Sequence, residues 1–299
     1  MYENFYGLAE KPFALTPDPH FLFFGRHHQR ALLQLEYGLA NQAAFLLITG
    51  EVGAGKTTLI RYLLGRLAKD LTVGLISNTS RDSGRLLQWV CSAYGIDISG
   101  KDDVALYNSF IAFAIGEYAS GRRVVLIVDE AQNLGRARLE ELRVLSNVNV
   151  DKYLVLQTIL VGQPELRDMM RTPQLRQFAQ RIGADYHIGT LTADETRQYV
   201  RHRLEVAGAS RLDIISDDAL LLVHASSRGV PRLVNQLCDT ALVYGYADQR
   251  ENIDAALMEE AIRDRCSGGI FPGRKVEFEK PAVTGQPDTE SPVTGADSR

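Results

Sequence analysis

Apolar residues along this chain fall in short unbroken runs separated by stretches with helical spacing. The runs Ala44 to Thr49, Val73 to Ser77, Val124 to Val128 and Val155 to Val161, with a shorter one at Tyr186 to Ile188, read as strands. Continuous rather than alternating apolar residues mark strands covered on both faces, as in a parallel sheet with helices on each side. Helical spacing runs from about His28 to Asn41, resumes from Lys56 to Ala68, and fills the interval between the second and third strands. The pattern predicts an α/β fold with a five-stranded parallel sheet flanked by helices.

Beyond Thr190 only helical spacing remains. Thr192 and Glu195 form a capping box, a hydroxyl N-cap with a carboxylate three residues on, opening a helix that stops near Gly208. Ser216 caps a second helix ending at Gly229, Pro231 starts a third, and Ile253 to Arg265 makes a fourth. Four segments follow: an aromatic strap at 1–26, an α/β domain at 27–190, a small helical domain at 191–266, and a Pro- and Gly-rich tail at 267–299 expected to be disordered.

Composition narrows the function. The chain has 299 residues, 45% hydrophobic and 23% charged, with a formal net charge of -4, which disfavours a general nucleic-acid coat protein. No apolar run approaches the roughly 20 residues that span a bilayer. The three cysteines, Cys91, Cys238 and Cys266, lack metal-ligand or disulfide spacing, as do His20, His27 and His28. A reducing cytoplasmic compartment is the expectation.

The chemistry concentrates in two places. Gly50-Glu51-Val52-Gly53-Ala54-Gly55-Lys56-Thr57, followed by Thr58, matches GxxxxGK[ST] and lies between a strand and a helix. Glycines let such a loop curl so that its amides face phosphate, and the helix N-terminus adds a field that favours anions. Lys56 would meet the β and γ phosphates, and Thr57 would offer its hydroxyl to Mg²⁺. The second place is the run Val124 to Val128, which ends in Asp129 and Glu130. Asp129 is placed to hold Mg²⁺ and Glu130 to orient the water that attacks the γ-phosphate.

These two motifs, with a helical domain after them, resemble the AAA+ ATPases. A closer resemblance, to the general secretion pathway protein A (ExeA) family, is carried by YENFYGLAEKPFALTPDPHFLF, LITGEVGAGKTTLIR, LIVDEAQNL, ILVGQPEL and GVPRLVNQLCD. It covers residues 1 to about 265. The resemblance implies ATP as the nucleotide, hydrolysis as the activity, and assembly into a ring or filament.

It also implies roles for individual residues. Gln163, in ILVGQPEL, takes the place of a γ-phosphate sensor. Asn78 stands where a polar residue restrains the catalytic glutamate, although here Thr79 follows it in place of the family's proline. Arg232, in GVPR, resembles the arginine that ties the position of the helical lid to the nucleotide. Proline at the first helical position aims it, and a cation at a helix N-terminus is otherwise unfavourable. Arg181 matches the arginine finger given to a neighbouring subunit, with Arg176 in reserve; Asp185 replaces a basic residue common nearby.

The partners implied are further copies of the chain and a membrane-associated secretion or polysaccharide-export apparatus. The alternative is an ATP-dependent DNA-binding regulator of the transposition type. Arg136, Arg138 and Arg143 could serve such a contact, but the interspersed Glu140 and Glu141 fit a solvated helix face better.

Overall fold

The computed structural model describes residues 1–67, 71–77, 85–147, 149–150 and 153–275. Helix α1 (Arg26–Ala40) leads into β1 (Phe45–Gly50), the glycine loop and α2 (Lys56–Leu67). Strand β2 (Leu71–Ile76) is followed by α3 (Leu86–Ala93), α4 (Asp103–Ala119), β3 (Arg123–Val128) and α5 (Gly135–Leu145). A short antiparallel ribbon, β4 (Asn149–Val150) with β5 (Tyr153–Leu154), precedes β6 (Leu156–Gly162). Helices α6 (Pro164–Met170) and α7 (Arg176–Ala179) then lead to β7 (Ile182–Ile188).

The main sheet has the order β2-β3-β6-β1-β7 and every pairing in it is parallel. Two cores explain why its central strands are apolar without a break. Phe45, Leu47, Val124, Leu126 and Val128 face the core that contains α3 to α5, whereas Leu46, Ile48, Val125 and Ile127 face the one beneath α1 and α2. Strand β7 is an edge strand, starts four residues before the expected Tyr186, and alternates between partly buried and exposed positions over its first half. With one free edge it needs no continuous apolar run, so the sequence pattern under-reads it.

Helices α8 (Ala193–Val206), α9 (Asp217–Ser227), α10 (Pro231–Ala247) and α11 (Ala255–Ser267) form the C-terminal bundle. The capping box at α8 is present, with Glu195 N donating to Thr192 Oγ1 and Thr192 N to a Glu195 carboxylate oxygen. The bundle's core is not built from these helices alone. Tyr2, Tyr6, Leu8, Phe13 and Phe21 are buried within it, while Leu22 belongs to the core under the sheet. The strap at 1–26 is therefore mostly part of the lid, crossing to the sheet at Leu22.

Arg203 fastens that crossing. It is buried on α8, donates from Nη2 to Ala14 O (3.3 Å) and from Nε to Pro12 O, and lies over the Phe21 ring at 4.3 Å.

The expected break at Ser267 comes too early. Phe271 packs against the lid core beneath Arg265, and Arg274 exchanges hydrogen bonds with Ser226 through its backbone N–H and carbonyl. These contacts are apolar and backbone-borne, and a composition rich in Gly and Pro conceals them. The rest of the proposed tail, 276–299, lies outside the described residues.

Candidate active site

The glycine loop leaves the C-terminal end of β1 and closes at the start of α2, a place where backbone amides converge. Gly53 (φ +83°) and Gly55 (φ +89°) take left-handed conformations that side chains resist. Space is short as well. A Cβ on Gly53 would lie 2.3 Å from Arg232 Cβ, and one on Gly55 would lie 2.8 Å from His28 Nε2.

Lys56 is 6% exposed and donates from Nζ to Gly50 O (2.7 Å) and Glu51 O (2.9 Å). Burial pulls its pKa below the ordinary lysine value, against the opposing influence of the Glu130 and Asp129 carboxylates. Two neutral carbonyls take two of its three hydrogens without neutralising its charge. A buried cation so placed suits an anionic group.

Strand β3 brings the acidic pair to the same place. Thr57 Oγ1 donates to Asp129 Oδ2 at 3.0 Å, and Glu130 N donates to Asp129 Oδ1 at 2.9 Å. Hydroxyl and carboxylate oxygens are the donors that Mg²⁺ prefers, and Thr57 and Asp129 already lie within hydrogen-bonding distance of each other. Glu130 lines a cleft of about 210 Å³ together with Lys56, Thr57, Thr58, Gly53 and Arg232.

Gln163 caps the start of α6 and donates from Nε2 to Glu130 Oε2 at 2.8 Å. Gln132, which the motifs do not single out, donates to the same carboxylate oxygen. Asn78, expected to restrain that glutamate, lies outside the described residues. Pro231 starts α10 and places Arg232 at the cleft, where its backbone N–H donates to Gly53 O at 3.3 Å.

Two further cleft residues carry no sequence signal. Arg203 is one position in an amphipathic helix, and His28, expected as a surface or packing residue, is buried against the loop through Ala54 O at 3.0 Å. The other wall of the cleft comes from the strap, with Phe21, Leu22 and Phe23 among its residues.

The two finger candidates differ in surroundings. Arg181 is half-buried and folds back onto the end of α5, its Nη1 donating to Arg143 O and Ser146 Oγ, both at 3.0 Å, and to Asn147. Arg176 is exposed on α7, and its side chain makes no hydrogen bond or ion pair with a described residue. On α5, Arg143 pairs with Glu140 at 2.7 Å and Arg138 stacks over Trp89.

A family model described as an AAA domain matches residues 40–170, from the end of α1 through α6. General secretion pathway protein A of Aeromonas hydrophila is 42% identical over 248 residues, or 83% of this chain. The chain belongs to the AAA+ family and is similar to that protein. It spans 45% of that relative's length.

Solved structures agree on the AAA+ fold. The Aeropyrum pernix ORC2 protein, in its ADPNP-ADP complexes, superposes with a TM-score of 0.63 at 20% identity, covering 85% of this chain and 71% of that one. Cdc6p from Pyrobaculum aerophilum gives 0.66 at 15% identity over 86% and 71%. The RuvB Holliday junction branch migration motor of Thermotoga maritima gives 0.53 at 18% over 81% and 70%. Such identities establish the fold alone. No helix among the described residues is long and apolar enough to cross a membrane.

Proposed function

We propose that this AAA+ protein binds ATP with Mg²⁺ in the cleft between sheet and lid and hydrolyses it to ADP and phosphate. The strongest support is the juxtaposition of Thr57 with Asp129 at 3.0 Å, with Glu130 on the wall of the cleft that Lys56 lines. Residues Gly50 to Thr58 would hold the phosphates, and Thr57 and Asp129 the Mg²⁺. When bound, that ion supplies neutralising charge to phosphate oxygens. Glu130 orients and polarises the attacking water, Gln163 senses the terminal phosphate, and Arg232 ties the lid to it. Turnover by the wild type and its loss in Glu130→Gln, with ATP still bound, is the expected result; equal turnover in both would refute the reading.

Hydrolysis on this reading needs a second copy, because an arginine donated across a subunit boundary stabilises the charge of the transition state. Of the two candidates, Arg176 is the better donor. Its guanidinium is exposed and uncommitted within the described residues, whereas Arg181 is spent on the end of α5. Asn78 retains its proposed part in restraining Glu130.

Likeness to general secretion pathway protein A supports a role beside an envelope secretion or export apparatus, with a membrane-associated partner recruiting the protein from the cytoplasm. Affinity capture of Glu130→Gln loaded with ATP tests both assembly and partner. Recovery of envelope components supports the reading, whereas ATP-dependent, salt-sensitive capture of duplex DNA would replace it with the regulator alternative.

A further inference from the structure

Immediately after the acidic pair the chain turns sharply. Glu130 takes a left-handed conformation, φ +50°. A single 3-10 turn, Ala131–Leu134, follows, and its Ala131 and Leu134 are buried in the core with α3 to α5. Burying those two apolar residues swings Gln132 back over the carboxylate it has just left.

The amide of Gln132 is used at both ends. Nε2 donates to Glu130 Oε2, and Oε1 accepts the backbone N–H of Gln163 at 3.2 Å. Gln163 Nε2 donates to that same Glu130 oxygen at 2.8 Å, which closes a ring of three residues. A carboxylate only accepts and a backbone N–H only donates, so one amide orientation of Gln132 satisfies both partners. Gly162 provides the room: a Cβ there would lie 2.8 Å from Gln132 Oε1 and 2.6 Å from Leu166 Cδ2.

We infer that Gln132 is a positioning residue for hydrolysis, setting the Glu130 carboxylate and the start of α6 in one register. The inference rests on the reading of Glu130 as the group that orients water. A glutamate has two flexible methylenes, and a misplacement near 1 Å costs about 10²-fold in rate. Two amide donors converging on one oxygen select one rotamer. Through Gln132, the end of β3 and the end of β6 become one unit, so a change sensed at Gln163 is passed to Glu130.

Two substitutions separate this role from a structural one. Gln132→Met keeps volume and loses both bonds. Gln132→Glu keeps an acceptor for the Gln163 N–H but cannot donate to Glu130 and sets a second carboxylate beside it. Both variants are expected to lower kcat about tenfold or more while the Kd for ATP stays within about twofold and the melting temperature within a few degrees. Wild-type kcat in Gln132→Met, or rescue in Gln132→Glu, would overturn the inference, the latter assigning Gln132 to helix α6 alone. Glu130→Gln measured alongside keeps the two readings apart. If it is inactive while both Gln132 variants turn over normally, only the positioning role falls; if it turns over normally, the hydrolysis reading falls first.

Discussion

The backbone N–H of Arg232 donates to the carbonyl of Gly53 across 3.3 Å, so the first turn of α10 rests directly on the glycine loop. Lid and loop cannot shift independently while that bond stands. A Cβ on Gly53 would sit 2.3 Å from Arg232 Cβ, at a φ of +83° that alanine resists. Gly53→Ala should therefore push the lid away and strain the loop together. ATP affinity is expected to fall at least about tenfold, a difference of about 1.4 kcal/mol, measurable by calorimetry.

Lys56 supplies the one buried ammonium among the residues lining the cleft. Lys56→Met preserves the stem and removes the charge and its hydrogen bonds. Nucleotide affinity should drop about 100-fold, as expected for loss of charge-assisted hydrogen bonds, with the fold retained by circular dichroism.

Arg203 ties Pro12 and Ala14 of the strap to α8. Arg203→Met takes the side-chain donor from Pro12 O in a buried setting, leaves Ala14 O only the longer bond from Asn235 Nδ2 at 3.5 Å, and loses the stacking on Phe21. Urea unfolding should report a loss of about 2–4 kcal/mol, and limited proteolysis should cut the strap first. A change within about 0.5 kcal/mol would show that the strap is held without Arg203, by its buried rings and its other hydrogen bonds, such as Ala9 N to Ala207 O at 2.8 Å.

The finger assignment predicts opposite phenotypes for two nearby arginines. Arg176→Ala should lose about 10³-fold in turnover with ATP binding intact. Arg181→Ala should lower the melting temperature by a few degrees through loss of its bonds to the end of α5, and retain most activity. Inversion of that pattern would return the role to Arg181.

Burial pulls the pKa of His28, His187, His202 and His224 below the ordinary histidine value. The unfolded chain then takes up protons first, near about pH 6.5, while the folded histidines stay neutral. Their contribution to stability is complete above that pH and declines as pH falls through the folded values. Glu117, held down to about 2 chiefly by Arg122, loses its contribution only at much lower pH. The urea midpoint should fall between about pH 7 and 5, and less steeply in His28→Gln. An unchanged slope would exclude His28 as a contributor.

Much of the site is legible before folding because its chemistry is local. The glycine loop must curl within eight residues, and Asp129 and Glu130 must follow a strand buried on both faces, so spacing and apolar runs reveal both. Other members leave no such trace. Gln132 acts because the 3-10 turn after Glu130 buries Ala131 and Leu134, and its partner Gln163 is 31 residues away. Arg203 looks like any arginine on an amphipathic helix until the strap is laid across it.

The sequence by itself determined the parallel sheet, the glycine loop between strand and helix, the acidic strand end and the four-helix lid, since each follows from spacing, periodicity or capping within a short window. Tertiary structure decided that the first 21 residues pack chiefly with the lid, that Arg232 sits on Gly53, and that Arg181 rather than Arg176 closes α5. Those outcomes depend on contacts between distant segments competing for the same space, and no local pattern of residues encodes which of them wins.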